Sequence, residues 1–275
     1  MAEKLSGSVW QLLMITVFGF TGCGVIGGPP ANLQIAAATD TTVQLVWTTP
    51  AQGMPDSFLV YFCPVKETVF ALVGDTSGNT YVHNPHGMTG RYKVAAMFAG
   101  KEYYSRTVLS TIPVHTESKV LSELDGTGNA GYGWNYDSGF ARTYSMRETA
   151  SARYVDLYVT NFSPGTALPY RLASPRMGPS ELSGVVPTAN WDTTWFTDPL
   201  ADENAPLPPV TESTYFNYTT LPEDSLPAFI GVYLPEGDNR YFALAKVSRI
   251  NSTNATLELE SWLQLVPGLH LITHQ

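Results

Sequence analysis

The chain has 275 residues, a formal net charge of −9 and only 14% charged residues, against about 25% in typical soluble domains. It also contains 15 Tyr, 12 Phe and 6 Trp alongside 23 Gly and 20 Pro. Few charges, many aromatic rings and frequent turn formers are typical of an all-β protein and argue against a helical bundle or a disordered chain. An acidic chain without basic clusters is also not expected to bind nucleic acid, since phosphate neutralisation needs lysine and arginine.

The first 23 residues have the pattern of a secretory leader. Lys4 precedes a mostly apolar run from Val9 to Phe20, which suits the hydrophobic region of a signal peptide and is shorter than the roughly 20 residues of a membrane-spanning helix. Residues 20–23 (FTGC) resemble the lipobox of bacterial lipoproteins. The resemblance implies a signal peptide over residues 1–22, cleavage before Cys23 and acylation of the Cys23 thiol. A plain signal peptide with an incidental cysteine is the alternative.

Lipid on Cys23 would place the protein in the cell envelope, with the membrane as its partner through the anchor. Each buried CH₂ contributes about 0.8 kcal/mol, and two or more acyl chains hold a protein stably on a bilayer. Gly24, rather than Asp, follows the cysteine, which in the enterobacterial sorting pattern favours the outer membrane if the source is Gram-negative. Residues 23–30 then form a short tether, and the other cysteine, Cys63, has no partner for a disulfide within the chain.

Residues 31–114 alternate strand patterns with turn signals, which is typical of a β-sandwich. Val43, Leu45 and Trp47 fall on one face of a predicted strand, and residues 58–62 form another. Further strands are predicted over residues 32–35, 68–73, 81–83, 91–97 and 105–114.

Two aromatic residues of this region carry a family resemblance. Trp47 stands in the second predicted strand, within the run VQLVW, and Tyr92 stands in the sixth, within YKVAA. The segment resembles a fibronectin type III domain, which implies that Trp47 fills the core and that Tyr92 makes a tyrosine-corner hydrogen bond. His86 stands where the family has a leucine, so the corner is expected to be irregular. The resemblance implies a spacer or a protein-binding module and assigns no catalytic residue.

Residues 115–124 are predicted to be a linker with helical character, and residues 125–275 a second, antiparallel β-rich domain of no recognised type. Strands are predicted over residues 140–146, 153–159, 214–218, 228–234, 240–250 and 256–265. The last three are expected to form an antiparallel meander, with Leu257 and Leu259 facing a core and Glu258 and Glu260 facing water. Trp262 falls on the glutamate side.

Aromatic residues of this second region form a candidate carbohydrate site. Three of them alternate and would share one face of a strand, and two more follow in a proline-rich stretch: Tyr132, Trp134, Tyr136, Trp191 and Trp195. Flat rings can stack on sugars while Asn135 or Asp137 bonds the hydroxyl groups. The alternative is a core-facing strand surface, because large aromatic side chains dominate protein cores.

Other motifs in the chain predict no cofactor and no metal. Residues 126–131 (GTGNAG) match a dinucleotide-binding pattern, but no helix start follows them. Asp125 and Asp137 lie in turn sequences that lack the spacing of a calcium-binding loop. The histidine pairs 83/86 and 270/274 have no third ligand nearby in the sequence.

Three functional hypotheses follow from the sequence. The leading one is a non-enzymatic, membrane-anchored lipoprotein of the cell envelope, in which the first domain is a spacer and the second binds a protein or glycan ligand. The alternative is a carbohydrate-binding surface lipoprotein of a polysaccharide-uptake system. A second alternative is a secreted hydrolase whose catalytic acids come from an acidic region: Asp198, Asp202, Glu203, Glu212, Glu223 and Asp224.

Overall fold

A computed structural model describes residues 27–176, 191 and 193–274; the predicted signal peptide and Cys23 lie outside the described residues. Within these residues the chain folds into eighteen strands and one turn of 3-10 helix over Ala152–Tyr154. The all-β fold class is therefore confirmed. Among these residues, no helical segment has both the length and the hydropathy of a membrane-spanning helix.

The strands are numbered in chain order. They are β1 (Ala31–Ala37), β2 (Val43–Thr48), β3 (Ser57–Pro64), β4 (Ala71–Thr76), β5 (Thr80–His83), β6 (Gly90–Phe98), β7 (Lys101–Tyr104), β8 (Leu109–Ser110), β9 (Val114–Ser122), β10 (Gly131–Trp134), β11 (Ala141–Tyr144), β12 (Leu157–Thr160), β13 (Arg171–Ala173), β14 (Trp195–Phe196), β15 (Tyr218–Thr220), β16 (Ala228–Glu236), β17 (Asn239–Asn251) and β18 (Thr256–Gln264).

Strands β1 to β8 form a first sandwich of two antiparallel sheets. One sheet has the order β1-β2-β5 and the other β4-β3-β6-β7, with β8 also paired to β6. Val43, Leu45 and Trp47 all point into the core, as the alternation along β2 predicts. Trp47 packs edge-on against Phe58 with ring centroids 5.3 Å apart, so the core role implied for Trp47 is confirmed.

Tyr92 lies at the centre of the same core. Its ring packs against Phe62 with a centroid distance of 4.6 Å, and its hydroxyl shares a hydrogen bond of 2.9 Å with Nδ1 of His83. Burial raises the pKa of Tyr92, and burial followed by the nearby His86 lowers the pKa of His83. The Tyr92 hydroxyl therefore bonds a side chain of β5 instead of the main-chain group that the resemblance to a tyrosine corner implies.

Strands β9 to β18 form a second sandwich, with sheets in the orders β11-β10-β12-β13-β15 and β14-β16-β17-β18-β9. The predicted meander is confirmed, since β16 pairs with β17 and β17 with β18, both antiparallel. Leu257 and Leu259 are buried. Glu260 lies on the opposite face of β18 and forms an ion pair of 3.1 Å with Lys246.

Most of residues 115–124 belong to strand β9. The prediction of a linker with helical character is therefore wrong. β9 pairs antiparallel with β18 and is the edge of its sheet. The register shifts between Leu259 and Ser261, so β9 carries a bulge that interrupts the alternation of its side chains. Edge strands commonly carry charged residues, and Glu117 and Lys119 are such residues in β9. These charges and the bulge hide the alternation typical of a strand, which is why the sequence predicts a linker here.

The last described residues pack against the first sandwich, although the sequence predicts residues 125–275 to form a separate second domain. Residues 265–274 follow β18 and are named here the C-terminal clasp. Val266, Leu269 and Leu271 of the clasp are buried in the core of the first sandwich. Gln264 donates from Nε2 to the carbonyl oxygens of Thr111 and Leu271, at 2.8 Å each. Because its side chains complete a core built by residues far earlier in the sequence, the clasp joins the two sandwiches.

Candidate ligand-binding cleft

The aromatic row at residues 132–136 begins inside the second sandwich. Tyr132 and Trp134 of β10 are buried, and the Tyr132 hydroxyl and Trp134 Nε1 lie 2.8 and 3.0 Å from Oγ of Ser261. Burial raises the pKa of Tyr132. The prediction that Tyr132 contacts a ligand is therefore wrong, because its ring and its hydroxyl are both used in the core.

The two tryptophans of the proline-rich stretch do not extend this row. Trp191 is almost fully buried in a separate cluster that contains Met146 and Tyr158, so its predicted contact with a ligand is also wrong. Trp195 is half-buried in β14, where it pairs with Tyr233, and it does not line the cleft described below.

Tyr136 continues the row past the end of β10, where the sandwich opens to solvent. Its ring stacks on Tyr241 with centroids 4.7 Å apart, and its hydroxyl donates to Oδ1 of Asp156 at 2.8 Å. Oδ2 of Asp156 accepts the main-chain N–H of Trp134 at 2.7 Å. Asp156 is almost fully buried, and a buried carboxylate is stable only when hydrogen bonds satisfy it. Asp156 therefore holds Tyr136 and the end of β10 in one fixed arrangement.

A glycine allows the opposite wall to approach β10. A Cβ atom at Gly133 would lie 1.7 Å from the carbonyl oxygen of Tyr154, so a larger residue would push the 3-10 turn away. Tyr154 consequently lies at the mouth of the opening, with 45% of its surface exposed. Its ring stacks on Tyr144 at 5.7 Å, and the guanidinium of Arg153 lies 4.6 Å from its centroid.

These elements line an open cleft of about 580 Å³. Besides Trp134, Tyr136, Tyr154 and Tyr241, its walls carry the polar side chains of Asn135, Asp137, Arg153, Asp156 and Glu236. Three carboxylates against one guanidinium make the cleft acidic. Burial, followed by the charges of Glu236 and Asp137, raises the pKa of Tyr241. The cleft thus combines flat rings with carboxylate acceptors and with hydroxyl and guanidinium donors.

The turn after β10 decides which of its polar side chains can meet a ligand. Oδ1 of Asn135 accepts hydrogen bonds from the N–H groups of Asp137 and Ser138, at 3.1 and 2.8 Å, and from the Ser138 hydroxyl at 2.9 Å. The Asn135 carbonyl is therefore used within the turn. Asp137 is exposed and lines the cleft, so it is the better placed of the two residues that the sequence predicts to bond hydroxyl groups.

The sequence predicts ligand contacts for the wall of the cleft that β10 and the following turn form. It does not predict the walls that residues 153–156 and the β16–β17 hairpin form. Arg153 and Tyr154 fall within a predicted strand, which begins only at Leu157 in the structure. The third wall, from the β16–β17 hairpin, comes from far along the chain and carries no motif. Asp156 gave a usable signal, since a carboxylate within an otherwise apolar run is rarely buried without a specific partner.

The histidine pair near the C-terminus packs against aromatic rings. His270 lies 3.8 Å from the ring centroid of Phe242, and His274 stacks on Trp262 at 4.0 Å. Burial lowers the pKa of both histidines. In the described parts of the chain, no group of three or more His, Cys, Asp or Glu side chains could hold a metal ion.

The remaining motifs have local structural roles. Asp125 pairs with Arg147 at 3.8 Å and accepts the N–H of Gly165 at 2.7 Å. Residues 126–130 lie in the connection between β9 and β10, and Gly131 is the first residue of β10, so the glycine pattern leads into a strand rather than a helix. Of the six acids named for the hydrolase hypothesis, Glu203 is half-buried beside His274, with Oε2 and Nε2 4.0 Å apart, and the other five are exposed.

No family model and no curated protein matches the chain. Among solved structures, it is similar to the FN5 domain of Drosophila Lar, with 12% identity and a TM-score of 0.26 over 31% of this chain and 96% of that one. It is also similar to a segment of two fibronectin type III domains from chicken tenascin, with 9% identity and a TM-score of 0.27 over 86% of this chain and 98% of that one. The strands make the described part of the chain an all-β protein, and fibronectin type III domains are among the solved structures to which it is similar.

Proposed function

We propose that the protein is a non-enzymatic, membrane-anchored lipoprotein of the cell envelope whose second sandwich binds a carbohydrate. The observation that carries the binding part is the cleft, in which tyrosine rings stand beside carboxylates and a guanidinium in one open concavity. Ligand sites of this kind combine an apolar or aromatic surface with a few polar groups that fix orientation. Rings would pack on the C–H face of a sugar, while Asp137, Glu236 and Arg153 would bond its hydroxyl groups.

Binding rather than catalysis is favoured by how the buried acid is used. Glycoside hydrolysis needs a pair of carboxyl groups held on either side of a bound sugar. In the cleft, the buried carboxylate of Asp156 receives hydrogen bonds on both oxygens from Tyr136 and from the main chain of Trp134. We therefore assign Asp156 a positioning role and leave recognition to the exposed groups around it.

The anchor and the location are proposed from the N-terminal sequence. Residues 20–23 resemble a lipobox, and Gly24 favours the outer membrane if the source is Gram-negative. The first sandwich would act as a spacer between the anchor and the second sandwich. An anchored protein with a sugar-binding cleft would suit a surface component of a polysaccharide-uptake system.

The anchor is tested by fractionating cells that produce the wild-type protein or Cys23→Ala. The wild-type protein is expected in the membrane fraction and Cys23→Ala in soluble or unprocessed form. Recovery of both proteins as soluble, processed chains would contradict the anchor without touching the binding proposal.

Glycan-array binding tests the cleft. Tyr154→Ala removes a side chain from its mouth and is expected to weaken binding at least 10-fold. Tyr218→Ala is the matched control, because Tyr218 is 47% exposed against 45% for Tyr154 and lies outside the cleft. Asp137→Asn is expected to weaken binding while leaving the thermal midpoint unchanged. Binding that survives both cleft variants, or no binding by any glycan, would refute the carbohydrate proposal.

A further inference from the structure

One end of the first sandwich receives the N-terminal part of the described chain. Ala31 pairs with Thr48, so the start of β1 lies beside the loop that follows β2. The β6–β7 turn lies at the same end, because Met97 pairs with Ser57, the first residue of β3. Three segments of this end, residues 27–30, 49–56 and 99–101, are named here the entry pole.

The opposite end of the first sandwich is joined to the C-terminal clasp. The end of β5 pairs with the start of β2, so the turn 38–42 and the loop 84–89 lie together there, and they are named here the clasp pole. The His270 N–H donates to the carbonyl oxygen of Asp40 at 2.7 Å. The Thr273 hydroxyl donates to the carbonyl oxygen of Gly87 at 3.0 Å. The clasp, which leads back to the second sandwich, therefore attaches at the end away from the entry pole.

Residues 27 and 28 are in close contact with the first sandwich. A Cβ atom at Gly27 would lie 2.3 Å from Cε2 of Tyr103, and one at Gly28 would lie 1.9 Å from Oε1 of Gln52. Glycine lets the backbone approach both side chains this closely, and Gly28 is buried. The second half of the predicted tether, residues 27–30, is therefore part of the sandwich surface.

This packing limits how far the entry pole can lie from a lipid on Cys23. Residues 24–26 separate Cys23 from Gly27. Because a chain spans at most about 3.6 Å per residue, Gly27 lies within about 14 Å of Cys23. The headgroup region on each side of a bilayer is about 5–8 Å thick. An anchor at Cys23 would thus hold the entry pole at the headgroups or directly above them.

The exposed residues of the entry pole suit contact with a lipid surface. Met54 is 67% exposed and lies in the loop 49–56 (TPAQGMPD), whose single charged residue is Asp56. Asp56 and Lys101 are the charged residues of the three segments, so their formal charges cancel, although the whole chain carries −9. Anionic headgroups repel an acidic surface, and the entry pole presents none. A weak contact is sufficient here, because the anchor keeps the two surfaces together.

We propose that the entry pole contacts the lipid bilayer, with Met54 among the headgroups, so that the first sandwich stands end-on between the membrane and the clasp pole. This inference rests on the proposed anchor at Cys23 and adds the orientation of the protein to it. The seven residues of β1, which run between the poles, span about 20 Å. The clasp pole would therefore lie about 20 Å farther from the membrane than the entry pole does.

The test places one fluorescent label on each pole. Met54→Cys and Met88→Cys replace a methionine of the entry pole and one of the clasp pole, which are 67% and 41% exposed. Cys63 is fully buried, so a thiol-reactive nitrobenzoxadiazole dye labels the introduced cysteine, and unchanged thermal midpoints check the fold. Each lipidated protein is added to phosphatidylcholine vesicles that carry a nitroxide quencher on the headgroup. The label at position 54 is expected to be quenched at least about 3-fold more strongly than the label at position 88.

The possible failures are distinguishable. Equal quenching of the two labels, stronger quenching at position 88, or no quenching of either label on vesicle-bound protein would overturn the proposed orientation and leave the anchor intact. Lipid-free protein that does not float with the vesicles would contradict the anchor and this inference together. Quenching at position 54 that rises with protein density on vesicles without nitroxide would instead assign the entry pole to a second copy of this chain.

Discussion

The C-terminal clasp should stabilise the first sandwich, although it follows the last strand of the second. Leu269 is fully buried in the core of the first sandwich. Replacing it with alanine removes buried methyl groups and leaves a cavity, and such changes cost about 2–5 kcal/mol in well-packed cores. A central value of about 3 kcal/mol lowers the ratio of folded to unfolded molecules by roughly 100-fold, since each 1.4 kcal/mol is tenfold. Leu269→Ala is therefore expected to destabilise the first sandwich, although the strands of that sandwich are β1 to β8.

The assay is hydrogen exchange followed by mass spectrometry, because it reports each sandwich separately. Peptides from β2, β3 and β6 should lose protection in Leu269→Ala, and peptides from β12 and β13 should change less. Leu72→Ala is the matched control, since Leu72 belongs to the first sandwich but is 56% exposed, and exposed substitutions usually cost under about 0.5 kcal/mol. Equal effects of the two variants, or a loss of protection confined to the second sandwich, would refute the reasoning.

Two further predictions concern the dependence of stability on pH and the close approach of the backbone at Gly133. Burial lowers the pKa of His270 and His274 below the value of the unfolded chain, about 6.5, so their contribution to stability is present above that pH and is lost as the pH falls. The urea midpoint should therefore drop on acidification from about pH 7.5 to 5.5, and His270→Phe/His274→Phe should flatten this dependence; an unchanged slope would contradict it. Gly133→Ala should lower the thermal midpoint and weaken glycan binding, because the added Cβ would collide with the carbonyl oxygen of Tyr154. Gly78→Ala is the control: the atom nearest to its added Cβ would be 3.6 Å away, so neither property should change.

The strands that alternate regularly were predictable from the sequence. Val43, Leu45 and Trp47 are buried on one face of β2, and the β16–β18 meander pairs as expected. Along β2 one face meets the core and the other does not, so the alternation in the sequence records the burial directly. The meander differs, because Phe242, Leu244 and Trp262 on its second face are buried in a further cluster. β9 lacks this record, because a bulge and an open edge interrupt the alternation.

Contacts between distant segments were not predictable. Nothing in the sequence near Leu269 indicates that it completes the first core, because its neighbours there belong to strands from the opposite end of the chain. The cleft shows the same limit. Tyr136 was identified from its row of aromatic residues, but Tyr154 and Tyr241 join it only through tertiary folding. A run of alternating aromatic residues also does not show which rings are buried. For that reason the prediction that Tyr132 contacts a ligand is wrong.

Mass spectrometry of the mature N-terminal peptide tests the proposal that lipid on Cys23 holds the protein on a membrane. We expect a peptide that begins at Cys23 and carries the added mass of a diacylglyceryl group and of an acyl chain on its amino group. A peptide that begins elsewhere, an unmodified Cys23 or an uncut leader would contradict it.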